Sequence, residues 1–146
     1  MVFWRISRHL DLSGIGGFKA DGRWHHPGQP IVYLTESPAA ALLEVCVHTA
    51  ANDIPPDFTL LKIEAPDMEI NSIEESDLPL SWQTNLEITR DLGTHWLRSN
   101  AAVLLRVPSA IVPQTSNFLF NPLHADAPLF KIADTLTYPF DTRIKR

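Results

Sequence analysis

The sequence predicts an α+β fold, with a mixed, largely antiparallel sheet and flanking helices. Three observations carry this. Short runs of β-branched and aromatic residues, bounded by Gly, Pro or Asn, recur along the chain and read as about six or seven strands. Only two segments have the length and start signals of a main helix. The strands do not alternate regularly with those helices, which argues against a doubly wound parallel sheet. The 146 residues, 45% hydrophobic and 20% charged, are enough for a proper core and have an ordinary globular balance. The prolines are spread out and punctuate short elements rather than marking a linker, so one domain over 1–146 is expected.

Val2 to Ser7 alternates apolar with polar residues and predicts the first strand. Ser13-Gly14-Ile15-Gly16-Gly17 predicts a flexible turn, and Gly22 to Pro30 a polar loop carrying Arg23, Trp24, His25 and His26. Ile31 to Thr35 is a compact strand. Ser37-Pro38 then opens a helix running to about Thr49. The serine caps free N–H groups, and proline fits the first helical position because its missing N–H would be unpaired anyway. Phe58 to Ala65 predicts a strand and Asp67 to Trp82 an irregular stretch. Thr84 to Arg98 predicts an amphipathic helix through Leu86, Leu92, Trp96 and Leu97, with Gly93 as a weak point. Ala101 to Val107, closed by Pro108, and Asn117 to Phe120 follow as strands. Leu129 to Ile132 and Leu136 to Tyr138 are expected as the last two.

The formal net charge of −5, with no basic run apart from Arg143, Lys145 and Arg146, argues against direct nucleic-acid binding. No apolar stretch approaches the roughly 20 residues needed to span a bilayer, and the first residues lack a signal-peptide core. A cytoplasmic protein without a membrane partner is expected. The lone cysteine, Cys46, excludes an internal disulfide and reads as a small buried hydrophobe.

Several residues are candidates for chemistry. On the helix after Ser37, the positions Ser37, Ala41, Glu44 and His48 share one stripe, and the rest of the circumference is apolar. Glu44 then faces either solvent or a cleft. Arg23, in a glycine-flanked loop, suits two-pronged phosphate binding, and Trp24 beside it is either a stacking partner or a core anchor. His25-His26 has no matching ligand at metal spacing and is read as polar surface, so no metal is expected. Alternation puts Ile31, Tyr33 and Thr35 on one face of their strand, towards a pocket or the core. Ser109, flanked by Pro108 and Pro113, and the later Ser116 and Asn117 either line a polar pocket or cap turns. There is no nucleophile elbow, Walker loop or dinucleotide-binding fingerprint.

In their order and spacing these segments resemble the RES family, named for an Arg, a Glu and a Ser. The matching stretches are Trp4-Arg5-Ile6, Gly22-Arg23-Trp24, Val32-Tyr33-Leu34, Ala41-Leu42-Leu43-Glu44, Val107-Pro108-Ser109, Asn117 and Asn121-Pro122-x-His124. The resemblance implies a fold similar to ADP-ribosyltransferases and NAD as substrate, with no other cofactor. It implies a toxin that arrests growth by cleaving the nicotinamide–ribose bond. It also implies a partner antitoxin of the Xre helix-turn-helix type, through which alone DNA would be contacted, and a homodimer is compatible with it. Under it Glu44 stabilises the developing ribose cation, Arg23 holds the pyrophosphate and Tyr33 orients the nicotinamide–ribose end. Ser109 and Asn117 bind the nicotinamide side or order the pocket, with Ser109 a better match than Ser116. Protein ADP-ribosylation and a non-catalytic interaction domain are the competing readings.

Overall fold

The computed structural model describes residues 1–145. Seven strands form one sheet in the order β4-β5-β6-β2-β1-β3-β7. They are β1 (Val2–Ile6), β2 (Val32–Thr35), β3 (Asp57–Glu64), β4 (Asn71–Ser72), β5 (Leu104–Pro108), β6 (Ser116–Phe120) and β7 (Lys131–Pro139). All neighbours pair antiparallel except β4 with β5. Three helices accompany the sheet: α1 (Ile15–Lys19), α2 (Pro38–His48) and α3 (Leu86–Ser99). This is the α+β architecture that the sequence predicts.

Strand alternation divides the core in two. Val32, Leu34, Phe118 and Phe120 pack with Phe3, Leu61, Ile63 and Phe130. Leu105, Val107 and Leu119 pack with the tryptophans Trp24, Trp82 and Trp96. The last-named cluster joins the sheet to α3, whose Trp96 and Leu97 are buried.

α2 begins as expected, with Ser37 Oγ accepting from Ala40 N at 3.1 Å and proline in the first turn. Cys46 is buried. Not all of its apolar surface is covered, however, because Leu43 and Val47 are exposed. Asn100, in the left-handed region at φ 51°, ends α3.

Four elements differ from the sequence expectation. Gly14 to Gly17 is not a plain turn: Gly14, at φ 72°, starts the five-residue α1. The stretch expected to be irregular contains the short β4, held by pairing with β5. Leu104, rather than Ala101, begins β5, and Pro108 remains in register opposite Ser116 at its end. The two expected final strands are one strand with a bulge. Lys62 pairs with Asp134 and Ile63 with Ile132, leaving Ala133 as the extra residue. The bulge reverses the alternation: Ile132 packs on the phenylalanine cluster, while Leu136 lines a groove with Trp4 and Leu42.

Candidate active site

β1 and β2 pair only at Trp4 and Thr35. Beyond that pair a cavity of 420 Å³ lies between them, lined by Arg5 and Ile6 of β1 and by Tyr33 and Thr35 of β2. α1 contributes Gly16 and Gly17, the following loop Asp21 to His25, and α2 contributes Ala41, Glu44, Val45 and His48. The stripe through Glu44 therefore faces this cavity, and the solvent reading of it is set aside.

Glu44 is held by two neutral donors. Its Oε1 accepts from Asn117 Nδ2 at 2.9 Å and from Ser109 Oγ at 3.2 Å. Ser109 Oγ itself accepts from the backbone N–H groups of Ile111 (3.1 Å) and Val112 (3.3 Å). With its acceptor capacity used, the hydroxyl proton goes to Glu44. Sheet register explains the convergence: Asn117 of β6 lies opposite Thr35 on one side and Val107 on the other, and Ser109 directly follows β5. Among the described residues no protein donor contacts Oε2 of Glu44. One carboxylate oxygen is thus fixed and the other is open.

Two arginines supply positive charge. Arg23 Nη1 donates to Gln83 O at 3.0 Å. Burial pulls the Arg23 pKa down, and nearby Glu44 partly opposes this. The Arg5 side chain makes no hydrogen bond or ion pair among the described residues, and burial lowers its pKa too, against the pull of Asp11. Burial thus costs these cations solvation that the nearby carboxylates only partly offset. An anionic ligand would supply that compensation.

α3 holds the arginine loop. Thr89 Oγ1 donates to Arg23 O at 2.6 Å, Arg90 Nε to Gly22 O at 2.8 Å, and His26 N donates to Thr94 Oγ1 at 2.9 Å. Arg90 also faces Asp21 at 3.4 Å. Gly93 is the point of closest approach: a Cβ built there would lie 1.7 Å from Trp24 O. The sequence reads Gly93 as a weak point of the helix, whereas the packing requires its small size.

Of the residues expected at the site, Arg23, Tyr33, Glu44 and Asn117 line the cavity, and Ser109 sits behind Glu44. Ser116 pairs in the β5–β6 ladder and does not line the cavity. Asn121, buried, donates to Asn100 at the end of α3 and accepts from Leu123 N, and His124 accepts from Asp126 N; neither lines the cavity. Trp24 is 2% exposed and packs on Trp82, which makes it a core anchor. Burial pushes the Tyr33 phenol pKa well above its usual value.

The reading of His25-His26 as polar surface is corrected. His25 is 1% exposed. His26 meets acidic partners from α3 that linear spacing does not reveal: its Nε2 is 2.7 Å from Asp91 and 3.9 Å from Glu87. These three side chains offer ligand atoms within 4.8 Å of one another, although His26 Nε2 is already taken by Asp91. Sequence reasoning left out Arg5 as a cavity residue, whereas Thr35 and His48 lie on the strand face and helix stripe it gave to Tyr33 and Glu44. The one available signal was Arg5, a single charge inside the apolar run of β1. Among the described residues no helix is long and apolar enough to cross a membrane.

The RES domain family profile matches residues 2–141. The toxin Res of Pseudomonas putida is 46% identical over 137 residues, covering 90% of this chain and 92% of the relative. The Prs ADP-ribosylating toxin of a Sphingobium species is 36% identical over 155 residues, covering 99% and 96%. One chain of the M. tuberculosis MbcT–MbcA toxin–antitoxin complex shares the fold, with a TM-score of 0.75 at 18% identity, covering 94% of this chain and 84% of that one.

Proposed function

The chain belongs to the RES domain family, and from that premise we propose that it is the toxin of a toxin–antitoxin pair and cleaves the nicotinamide–ribose bond of NAD. The observation that carries this reading is Glu44, with one carboxylate oxygen held by Ser109 and Asn117 and the other open, in a cavity that also presents Arg5 and Arg23.

Breaking the glycosidic bond develops oxocarbenium character on the ribose. The nicotinamide of NAD is already cationic, departs neutral and needs no general acid. A fixed negative charge beside the ribose lowers the barrier. Glu44 supplies it, and Ser109 and Asn117 order the carboxylate rather than binding nicotinamide. Arg23 and Arg5 bind the pyrophosphate, and Tyr33 orients the nicotinamide–ribose end. Holding the ribose against Glu44 matters as much as the charge, because a displaced ribose no longer meets it.

Relatives named as toxins, and a fold shared with a chain of a toxin–antitoxin complex, support an antitoxin partner. We take it to be of the Xre helix-turn-helix type and to contact DNA itself, while this acidic chain acts in the cytoplasm as one RES domain. A second reading, transfer of ADP-ribose to a protein, is favoured by the relative named an ADP-ribosylating toxin.

The test is the cellular NAD level after brief induction, wild type beside Glu44→Gln. NAD is expected to fall with wild type only, and purified Glu44→Gln is expected to bind NAD and stay folded. Equal NAD loss with both proteins removes Glu44 from the mechanism. Growth arrest at constant NAD, with label from NAD appearing on a protein, selects the second reading. Nicotinamide release from purified protein, with and without inorganic phosphate, separates hydrolysis from phosphorolysis.

A further inference from the structure

His25 lines the cavity, is almost fully buried, and has no role in the reaction above. A buried imidazole needs partners for both ring nitrogens. Nε2 lies 2.8 Å from Gly17 O and 2.8 Å from Ala20 O. Carbonyl oxygens only accept, so Nε2 carries the proton. Nδ1 lies 2.7 Å from Tyr33 Oη and accepts the phenol proton. Tyr33 Oη in turn accepts from Trp24 N at 3.1 Å. These bonds commit the only hydroxyl proton of Tyr33 to His25. A proton on Nδ1 would leave the phenol hydrogen without an acceptor.

One side chain therefore ties together three walls of the cavity: the end of α1, the arginine loop and β2. The loop closes on itself as well, through Gly22 N donating to His25 O at 3.2 Å. The loop backbone packs closely on both rings: a Cβ at Gly22 would lie 2.6 Å from Tyr33 Oη and 3.1 Å from the His25 ring.

We propose that His25 is a positioning residue that fixes the Tyr33 ring for NAD, so that Tyr33 serves the site through its ring face and not as a proton donor. This rests on the reading of the cavity as an NAD site.

Two substitutions divide the imidazole. In His25→Asn the carboxamide reaches the place of Nδ1 and can still accept from Tyr33, losing the link to α1. In His25→Gln the carboxamide reaches the place of Nε2 and can still donate to Gly17 and Ala20, losing the acceptor for Tyr33. His25→Gln is expected to raise KM for NAD about tenfold with kcat much less affected, and His25→Asn to stay within about threefold of wild type, the range of one lost hydrogen bond. In a Tyr33→Phe background, His25→Gln is expected to add nothing. NAD binding measured by calorimetry in the Glu44→Gln background is expected to show the same order.

If His25→Gln does not fold, Tyr33→Phe reads the same bond from the other side and is expected to show the same rise in KM. Unchanged KM and binding in folded His25→Gln, or additive effects with Tyr33→Phe, would overturn the positioning role while leaving the NAD site intact. Failure of the wild type to bind or consume NAD would overturn the site reading itself, and this inference with it.

Discussion

Gly93→Ala tests the claim that α3 shapes the site by its smallness. On helix propensity alone the change is favourable by about 1 kcal/mol. The packing opposes it. The new Cβ would lie 1.7 Å from Trp24 O and 2.8 Å from Trp24 C, both backbone atoms that cannot turn aside. To restore an ordinary 3.4 Å contact the loop and helix must part by about 1.7 Å. That movement strains the bonds from Thr89, Arg90 and Thr94 to the loop, each worth about 0.5–1.5 kcal/mol. Overpacking adds about 1–3 kcal/mol. Net destabilisation of about 2–4 kcal/mol is expected, a fall in Tm of about 5–15 °C for a chain of this size. Urea and thermal unfolding measure it, with Gly16→Ala as the control, where nothing lies within 4 Å of the new Cβ. If Gly93→Ala is as stable as wild type, the close approach is not what this position requires.

Two further outcomes follow from the same geometry. Ser109→Ala removes one donor to Glu44 and an acceptor for Ile111 N and Val112 N. Nicotinamide release should fall about ten- to a hundredfold, with stability lower by about 1–3 kcal/mol, whereas Ser116→Ala should leave release unchanged. A folded Ser109→Ala with full turnover would dissociate Glu44 from its support. Burial raises the Tyr33 phenol pKa in the folded state, so its share of stability is complete below the unfolded value of about 10. Above that pH the unfolded chain ionises the phenol while the folded chain does not, and stability falls by about 1.4 kcal/mol per pH unit. Tyr33→Phe should remove this alkaline loss. A phenolate signal that Tyr33→Phe abolishes in the folded protein near pH 10 would show that the phenol is not buried as described.

Elements whose causes are local were legible in the sequence. Ser37 and Pro38 are themselves the start of α2, and the β-branched run of β2 needs no distant partner to be read. Elements whose causes are distant were not. β4 has two residues and is a strand only because Asn71 and Ser72 meet Leu105 and Arg106. The bulge at Ala133 is set by the pairing of β7 with β3. Site residues divide the same way. Glu44 was identifiable as a charge on an apolar helix, but its cavity orientation depends on Ser109 and Asn117, which are 65 and 73 residues away. The burial of Trp24 follows from the small and hydroxyl-bearing face of α3, which looks like weak helix chemistry until the loop is packed on it, and that of His25 from its distant partners Gly17, Ala20 and Tyr33.

The choice of partners for Glu44 has a chemical consequence. Had Arg23 or Arg5 gripped it in two-pronged fashion, both carboxylate oxygens would be used and the local charge cancelled. Asn117 and Ser109 are neutral, so they orient the group through Oε1 without cancelling its charge. The arginines are instead left for a ligand: Arg23 spends one nitrogen on a backbone carbonyl, and Arg5 none among the described residues. A cavity with a fixed anion and under-compensated cations suits a substrate carrying both signs. On the proposed reading, NAD would bring a pyrophosphate for the arginines and a cationic nicotinamide–ribose end for Glu44. A purely anionic ligand such as free ADP-ribose would meet the same arginines but would give Glu44 no cation to stabilise. ADP-ribose should therefore bind Glu44→Gln no more weakly than wild type, and the largest distinction between the two proteins should appear when the glycosidic bond is breaking.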